Sequence, residues 1–574
     1  MTTVAELLIE ALAEHGVTQV WGVVGDALNP VTDAIHHHDR VEWMGVRHEE
    51  AGAFAAGAQA QLTGRLGVCM GTVGPGSIHL LNGLYDAKKS RVPVLAICGQ
   101  VPRPEIGSDF FQEVDNDVLF ADVAVFSATI TSAEQLPDLI ERAGNTALQE
   151  RGVAVLTLPG DVGGLDLPKH TPVPRFVTDR PATPPEPESV ARAAAAINEA
   201  GSVTMLVGAG ARDARTEVLA LAEHVSAPMV VTLKGKEGLE RDNPYEVGQS
   251  GLLGNHASAV AFDGCDLLLM VGTDFPYKEF YPSGKVVVQI DAVGAHIGRR
   301  HPVDHPVVGD SRATLAALLP LLEAKPDTGL LDKARSTYDA WRERQTRLTD
   351  PDYERKPSGL LRRKIDNPAD RVRPELLAAA VDRYAADDAV FTSDTGMATT
   401  WLARFVRMRG QRRLLGSFNL GSMANAMPQA LGAQALDRRQ QVVAFCGDGG
   451  VTMLLGELMT AVTHHLPVKL VVFDNGSLGM VKLEMEQVGL SPYGTQLDNP
   501  DLARVAEAIG MKGIRVEDPH AVEGAVLEAF AHDGPVLLDV LTNPEEIAIP
   551  PKPTLEQGWG FAIAKSKEFI ESSE

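Results

Sequence analysis

At 574 residues the chain has room for about three or four domains of ordinary size, each able to bury its own core. Its 44% apolar and 22% charged residues, with 54 glycines, exclude disordered, collagen-like and coiled-coil chains. Lys and Arg number 52 against 76 Asp and Glu, a net charge of −24 that repels polyanions, so no nucleic-acid partner is expected.

The opening stretch TTVAELLIEALAEHG has the pattern of an acidic amphipathic helix rather than a signal peptide. Residues 1–167 form a first α/β domain, with strands predicted at 41–47, 66–71, 92–98 and 153–160. Continuous Val/Ile/Leu runs between helical stretches such as AGAFAAGAQAQ mark a parallel sheet covered on both faces. Seven of the twenty residues from Pro168 to Pro187 are proline, which defeats helices and central strands and makes 168–188 a linker. A second alternating unit, 189–325, has strands predicted at 203–208, 228–233, 266–272 and 286–291. The charged segment 326–372 is a connection with one exposed helix around 330–346. A third unit, 373–541, has strands predicted at 388–394, 441–446, 468–474 and 534–540, and 542–574 is a C-terminal tail. The fold class is therefore α/β, three doubly wound parallel-sheet domains in series. Cys69, Cys98, Cys265 and Cys446 form no CxxC and sit in apolar runs, as buried thiols of a reducing cytoplasm do. No apolar stretch reaches the roughly 20 residues that span a bilayer.

Three local patterns carry chemistry. One strand runs into Gly447-Asp448-Gly449-Gly450, and the next ends at Asn475, 27 residues after Asp448. In a parallel sheet both ends lie on the carboxyl edge, where ligands bind and helix N-termini point. Asp448, the Asn475 amide and the Ser477 carbonyl offer oxygen ligands to a hard cation, and a diphosphate would complete the octahedron Mg²⁺ prefers. The plain alternative is a glycine turn before a capped helix, against which the asparagine at this spacing counts. Glu49 leads from a strand into the apolar helix AGAFAAGA, where a desolvated carboxyl suits proton exchange; Glu50 satisfies the same helix start equally well. Gly208-Ala209-Gly210 is a shortened dinucleotide fingerprint, with Asp213 where a third glycine would stand.

From these motifs the chain resembles the thiamine-diphosphate enzyme superfamily, and pyruvate oxidases and pyruvate:quinone oxidoreductases in particular. The resemblance runs through all three domains, in RHEEAGAFAAGAQAQLTG (47–64), GPGSIHLLNGLYDA (74–87), FFQE (110–113), LKGKE (233–237), GTDFPY (272–277), GSFNLGSMANAMPQALGAQ (416–434) and LGMVKLEM (478–485). It implies pyrimidine-binding, FAD-binding and diphosphate-binding domains in that order, with thiamine diphosphate, Mg²⁺ and FAD as cofactors. Glu49 would hydrogen-bond the aminopyrimidine, and Met423 would be the apolar wedge that bends the cofactor. Thr395, Gly396, Gly447, Gly449 and Gly450 would contact its diphosphate end, and Asp448, Asn475 and Ser477 would hold the metal. FAD would lie on Gly208, Gly210, Ser250, Gly251, Leu252, Leu253, Thr273, Asp274, Phe275, Pro276, Tyr277 and Asp291, the last suited to a ribose hydroxyl. Phe111, Gln112, His79, Met480 and Glu484 would form the substrate pocket, although a lone Met or His is ordinarily a packing residue. Leu420 stands where close relatives carry His, Asp115 where some have Thr-His, and Met480 where several have Phe, which leaves acceptor and substrate preference open.

The implied activity is oxidative decarboxylation of a 2-oxo acid, pyruvate first, to carbon dioxide and acetate or acetyl phosphate, with electrons passing to quinone or oxygen. The implied unit is a homodimer or homotetramer in which Glu49 reaches cofactor held by a neighbouring subunit. Two alternatives stay open: an acetolactate synthase-like carboligase with structural FAD, and a non-catalytic relative that keeps the fold. Quinone-reducing members carry an amphipathic tail after the segment matching LEQGWGF. Here that stretch is AIAKSKEFIESSE, net acidic, with Phe561, Ile563, Phe569 and Ile570 as its apolar face, so no stable membrane anchor is expected.

Overall fold

The computed structural model describes residues 2–356, 367 and 370–546. The first sheet contains β1 (Gln19–Gly22), β2 (Glu42–Gly45), β3 (Gly67–Gly71), β4 (Val94–Gln100), β5 (Ala124–Thr129) and β6 (Val153–Pro159), in the order β2-β1-β3-β4-β6-β5. The central sheet contains β7 (Val203–Val207), β8 (Met229–Val231), β9 (Leu267–Val271), β10 (Val286–Asp291) and β11 (His305–Val308), in the order β11-β10-β9-β7-β8. The third contains β12 (Val390–Ser393), β13 (Arg413–Gly416), β14 (Val442–Gly447), β15 (Lys469–Asp474), β16 (Lys512–Val516) and β17 (Val536–Leu541), in the order β13-β12-β14-β15-β17-β16. The strand pairings within these sheets are parallel, and the first and third sheets share one permuted order. Every residue of β3, β4 and β6 is buried, as expected of strands covered on both faces.

The alanine- and glycine-rich helix Glu49–Thr63 explains how the first and third domains join. A Cβ added to Gly432, on the third-domain helix Ala426–Leu436, would fall 2.4 Å from the Ala55 carbonyl oxygen, so the two helices approach backbone to backbone. Gln59 Nε2 donates to the Gly432 carbonyl at 3.1 Å and to Gln19 Oε1 at 2.8 Å, and Gln19 Nε2 donates to the Ala435 carbonyl at 3.0 Å. The two domains thereby share one hydrophobic core that runs from Trp21 and Ala55 to Leu431 and Leu470.

Several details differ from the sequence reading. β1, β5, β11, β13 and β16 lie outside the predicted strands. Helix Pro187–Glu199 begins inside the segment assigned to the linker. The connecting helix Gly329–Leu348 is not wholly exposed: it turns Ala334 and Tyr338 into the central core, where the Tyr338 hydroxyl donates to Glu246 Oε1 at 3.0 Å. All four cysteines are free and buried, and burial pushes the Cys98 thiol up to about 12. Among the described residues no helix is long and apolar enough to cross a membrane. Phe561, Ile563, Phe569 and Ile570 lie outside the described residues.

In each sheet the chain lays its second strand on one side of the first and its third strand on the other. This puts a topological switch point between β1 and β3, between β7 and β9, and between β12 and β14. Ligands of such sheets bind in the crevice beyond the strand carboxyl ends at these points. Gly74-Pro75-Gly76 follows β3, Gly208 and Gly210 follow β7, Gly272 follows β9, and Asp394 and Asp448 follow β12 and β14.

Candidate active site

Asp448 is the first residue of helix Asp448–Met453 and is 2% exposed. Its Oδ2 accepts from the Gly476 amide at 2.9 Å and from Asn499 Nδ2 at 2.7 Å. Asp474, at the end of β15, accepts from the same Asn499 amide at 2.9 Å and from Gly476 N at 3.3 Å. Burial first, and the Asp474 charge second, push the Asp448 carboxyl up to about 7. Two carboxylates held together away from water call for a proton or a cation between them. Asn475 belongs to the same turn, where its Oδ1 accepts from Ser477 N at 3.0 Å. A Cβ built on Gly447 or Gly396 meets nothing within 4 Å, so the backbone beside Asp448 faces open space. Oxygen donors around such space fit a hard divalent cation carrying a diphosphate. Asp474 and Asn499 were not among the expected residues; the first looks like an ordinary strand end and the second lies in a loop without a motif.

Met423 joins this group. Its Cε lies 3.2 Å from where a Gly449 Cβ would stand, beside Leu478 and Leu497, so a side chain at 449 would be tightly packed against it. Thr395 Oγ1 donates to the Ser417 carbonyl at 3.3 Å, and Ala424 holds the left-handed backbone at φ 61°. Asp394, also missed from sequence, is buried beneath these segments, and burial pushes its carboxyl up to about 6.

A second group forms in the first domain. Glu49 is the first residue of its helix and is 7% exposed, with Oε2 2.9 Å from His79 Nδ1. The His79 ring stacks on His48 at 4.3 Å, and His48 caps the helix by accepting from Glu50 N at 3.3 Å. Glu50 Oε1 instead accepts from Asn82 Nδ2 at 2.6 Å, and Asn82 also donates to Ser422 Oγ in the third domain at 3.0 Å. The adjacent carboxylates, equivalent at the level of sequence, are thus separated by their partners. The Gly74-Pro75-Gly76 loop seats two of the expected residues. A Cβ on Gly76 would lie 3.1 Å from Glu49 Oε1, and one on Gly74 would lie 2.6 Å from the Gln112 carbonyl. Gln112 is left-handed at φ 66°, and Phe111 beside it is 79% exposed. Glu113 closes this loop by accepting from the Gly107 and Phe110 amides at 2.5 and 3.1 Å.

In the central domain the loops after β7 and β9 meet backbone to backbone: a Cβ on Gly208 would lie 2.4 Å from the Gly272 carbonyl oxygen, and one on Gly210 2.9 Å from Gly272 Cα. The segments containing Ser250 to Leu253 and Thr273 to Tyr277 face each other, with Gly251 against the Phe275 ring, and Thr273 Oγ1 accepts from Phe275 N at 3.3 Å. Asp274 pairs with Arg300 at 2.9 Å and with first-domain Arg91 at 3.1 Å, so it ties two domains together rather than presenting a free carboxylate. Asp291 Oδ1 accepts from Val293 N at 2.9 Å and faces His296 Nδ1 at 3.2 Å. Half-buried Lys234 is pushed down to about 8 by desolvation, with Asp86 opposing that shift and Arg212 and Arg91 adding to it. These cations have carboxylates beside them, Arg212 pairing with Glu237 at 2.9 Å and Arg91 with Asp274 at 3.1 Å. Leu252 meets Met480 and Glu484 of helix Gly479–Gln487 across a cavity of about 20 Å³, which brings one expected flavin contact to two expected substrate residues.

Comparison with known proteins places the chain in a family. Thiamine pyrophosphate enzyme models match in all three domains: the N-terminal TPP binding domain over residues 2–119, the central domain over 190–318 and the C-terminal TPP binding domain over 394–540. A Bacillus subtilis protein whose name reads "Putative thiamine pyrophosphate-containing protein YdaP" is 36% identical over 99% of this chain and 96% of its own length. A pyruvate oxidase of Lactiplantibacillus plantarum is 31% identical over 93% of this chain and 87% of its own. An acetolactate synthase of Arthrospira platensis is also 31% identical, over 96% and 95%. The chain belongs to the thiamine pyrophosphate enzyme family.

Proposed function

We propose that this enzyme uses thiamine diphosphate, Mg²⁺ and FAD to decarboxylate a 2-oxo acid oxidatively, pyruvate first, and passes the electrons to quinone or oxygen. The observation that carries the reading is the buried Asp448 and Asp474 pair at a sheet switch point, with open space beside Gly447 and Gly396. Asp448, the Asn475 amide and the Ser477 carbonyl would hold the metal, and Met423 would press on the cofactor from beside Gly449. Thiamine diphosphate, when bound, supplies the electron sink that no side chain offers for the carbanion left by carbon dioxide. Glu49 holds and releases a proton at the aminopyrimidine, and the His79 imidazole beside it orients that carboxyl. Gln112, turned into the left-handed region against Gly74, would present its amide to the substrate carboxylate, with Phe111 beside it as an apolar contact.

For FAD, the supporting features are the glycine loops at Gly208 and Gly272 and the contact between Leu252 and the Met480 helix. The active unit in this reading is at least a dimer, with Glu49 serving the metal loop of a neighbouring subunit; Glu50, not Glu49, is tied to the third domain of its own chain. A second reading, carboligation to acetolactate with FAD as a structural element, is favoured by the acetolactate synthase relative at equal identity. Product analysis separates them. Incubation with pyruvate and ferricyanide, a quinone analogue or oxygen, with and without phosphate, should yield acetate or acetyl phosphate; acetolactate formed without acceptor reduction would favour the second reading.

A further inference from the structure

We propose that Asp394 is a positioning residue that fixes the spacing between the Met423 wedge and the Asp448 metal loop; the role rests on the thiamine-diphosphate reading above. Asp394 follows β12 at the switch point of the third sheet and is buried. Its two carboxylate oxygens are divided between two segments. Oδ1 accepts from the Ala426 amide at 2.8 Å, three residues after Met423, and Oδ2 accepts from the Gly447 amide at 3.0 Å, directly before Asp448. A carboxylate is rigid, so the separation of its two oxygens sets the separation of the two chains that bond to it.

The surroundings leave little slack. A Cβ on Gly450 would lie 2.2 Å from Asp394 Oδ2 and 3.2 Å from Ala424 N, and Met423 Cε already rests on Gly449. The clamp is itself anchored: the Thr399 hydroxyl donates to the Asp394 carbonyl, and Asn425 Nδ2 donates to the Ser393 carbonyl at 2.9 Å and to Gln429 Oε1 at 3.0 Å. Burying a carboxylate is costly unless hydrogen bonds compensate it, and a single backbone amide could be capped by a neutral side chain at less cost. What a carboxylate adds is two acceptors and no donor, which is what bridging two amides requires. A ligand that must meet the wedge and the metal loop together depends on that bridge, whereas a ligand that meets only the metal loop does not.

The experiment uses full-length protein stripped of cofactor, titrated calorimetrically with Mg²⁺ and thiamine diphosphate and, separately, with Mg²⁺ and inorganic pyrophosphate. Wild type is compared with Asp394→Asn, which turns a donor toward one of the amides, and with Asp394→Glu, which keeps the charge and both acceptors but adds a methylene. Thermal melting of each stripped variant establishes folding, and either variant alone is sufficient for the test. Both variants should bind pyrophosphate within about threefold of wild type and thiamine diphosphate at least about tenfold more weakly, the scale on which partners of metal ligands act. Equal loss of both ligands would overturn the spacing role, because Asp394 would then serve the metal loop alone. Unchanged thiamine diphosphate binding in either variant would also overturn it. A wild-type protein that binds neither ligand would instead refute the thiamine-diphosphate reading on which the proposal stands.

Discussion

Asp448 and Asp474 accept from one amide, Asn499 Nδ2, at 2.7 and 2.9 Å, so two carboxyls at the ends of adjacent strands share a donor where a cation would neutralise them both. Asp448→Ala should strongly weaken Mg²⁺-dependent cofactor retention, because Asp474 is then the one carboxylate of the pair left to balance the ion beside a neutral amide and carbonyl. A metal ligand must be deprotonated to bind, and Asp448 is raised to about 7, so Mg²⁺ affinity should climb between about pH 6 and pH 8 and flatten above. Asp474→Asn removes the second cause of that shift and should move the rise to lower pH. The same pH profile in both proteins, measured by titration of Mg²⁺, would contradict the shared-charge explanation.

Glu49→Gln should leave folding and cofactor binding in place but slow exchange of the cofactor C2 proton by at least ~100-fold, the usual scale for a positioned acid or base. Deuterium exchange followed by NMR reads this directly. His79→Ala should slow exchange less, since it removes a partner of the carboxyl and not the carboxyl itself. Wild-type exchange in Glu49→Gln would remove Glu49 from the mechanism.

If sites are shared between subunits, mixing Glu49→Gln with Asp448→Ala protein should restore part of the activity, since one kind of hybrid site is intact. The check is turnover after subunit exchange demonstrated by mass spectrometry. No recovery despite exchange would place each site within one chain.

The contact of helices Glu49–Thr63 and Ala426–Leu436 gives a stability prediction. Gly432→Ala drives a Cβ to 2.4 Å from the Ala55 carbonyl and should cost about 1–3 kcal/mol through overpacking. Gly524→Ala, in helix Val522–Ala531 where a Cβ meets nothing within 4 Å, should instead be neutral or stabilising by about 0.5–1 kcal/mol. Denaturant midpoints for the pair check the opposite signs.

Asp86 supplies a pH test. It accepts from third-domain Gln429 Nε2 at 3.0 Å and is raised to about 6, chiefly by burial, from an ordinary value near 3.8. The folded protein therefore holds a proton that the unfolded chain releases, so this group's contribution favours folding below about pH 4 and is lost as pH rises through about 6. The swing is roughly 3 kcal/mol for about two pKa units. Asp86→Asn should flatten that part of the profile, as the difference between the two proteins in midpoint against pH. An unchanged difference from pH 4 to 7 would contradict the assignment.

The legible part of the fold was its interior. The predicted runs at 66–71, 92–98, 153–160, 441–446 and 468–474 correspond to β3, β4, β6, β14 and β15, which are buried on both faces and therefore almost wholly apolar. The strands missed include the sheet edges β5, β11 and β16, whose half-exposed residues mix polar and apolar types and imitate loops, and the edge strand β13, which is mostly buried but only four residues long. β1 is buried but only four residues long, and its Gln19 is spent on the interdomain bond to Ala435. At the site, the Gly447 to Gly450 motif and its asparagine were legible because their spacing follows from one helix between two parallel strands. Asn499 and Asp394 were not, because their roles depend on which distant strand ends the sheet order places beside Asp448. Glu49 and Glu50 are likewise distinguished in the structure only by their partners, His79 and Asn82, which are 30 and 32 residues away along the chain.

The central claim, oxidation of a 2-oxo acid through FAD, is tested most directly by anaerobic mixing of the holoenzyme with pyruvate in a stopped-flow spectrophotometer. Flavin absorbance should bleach at a rate at least equal to turnover, return on admission of quinone or oxygen, and remain unchanged in Glu49→Gln. A flavin that stays oxidised while pyruvate is consumed to acetolactate would contradict the oxidase reading and make the enzyme a carboligase.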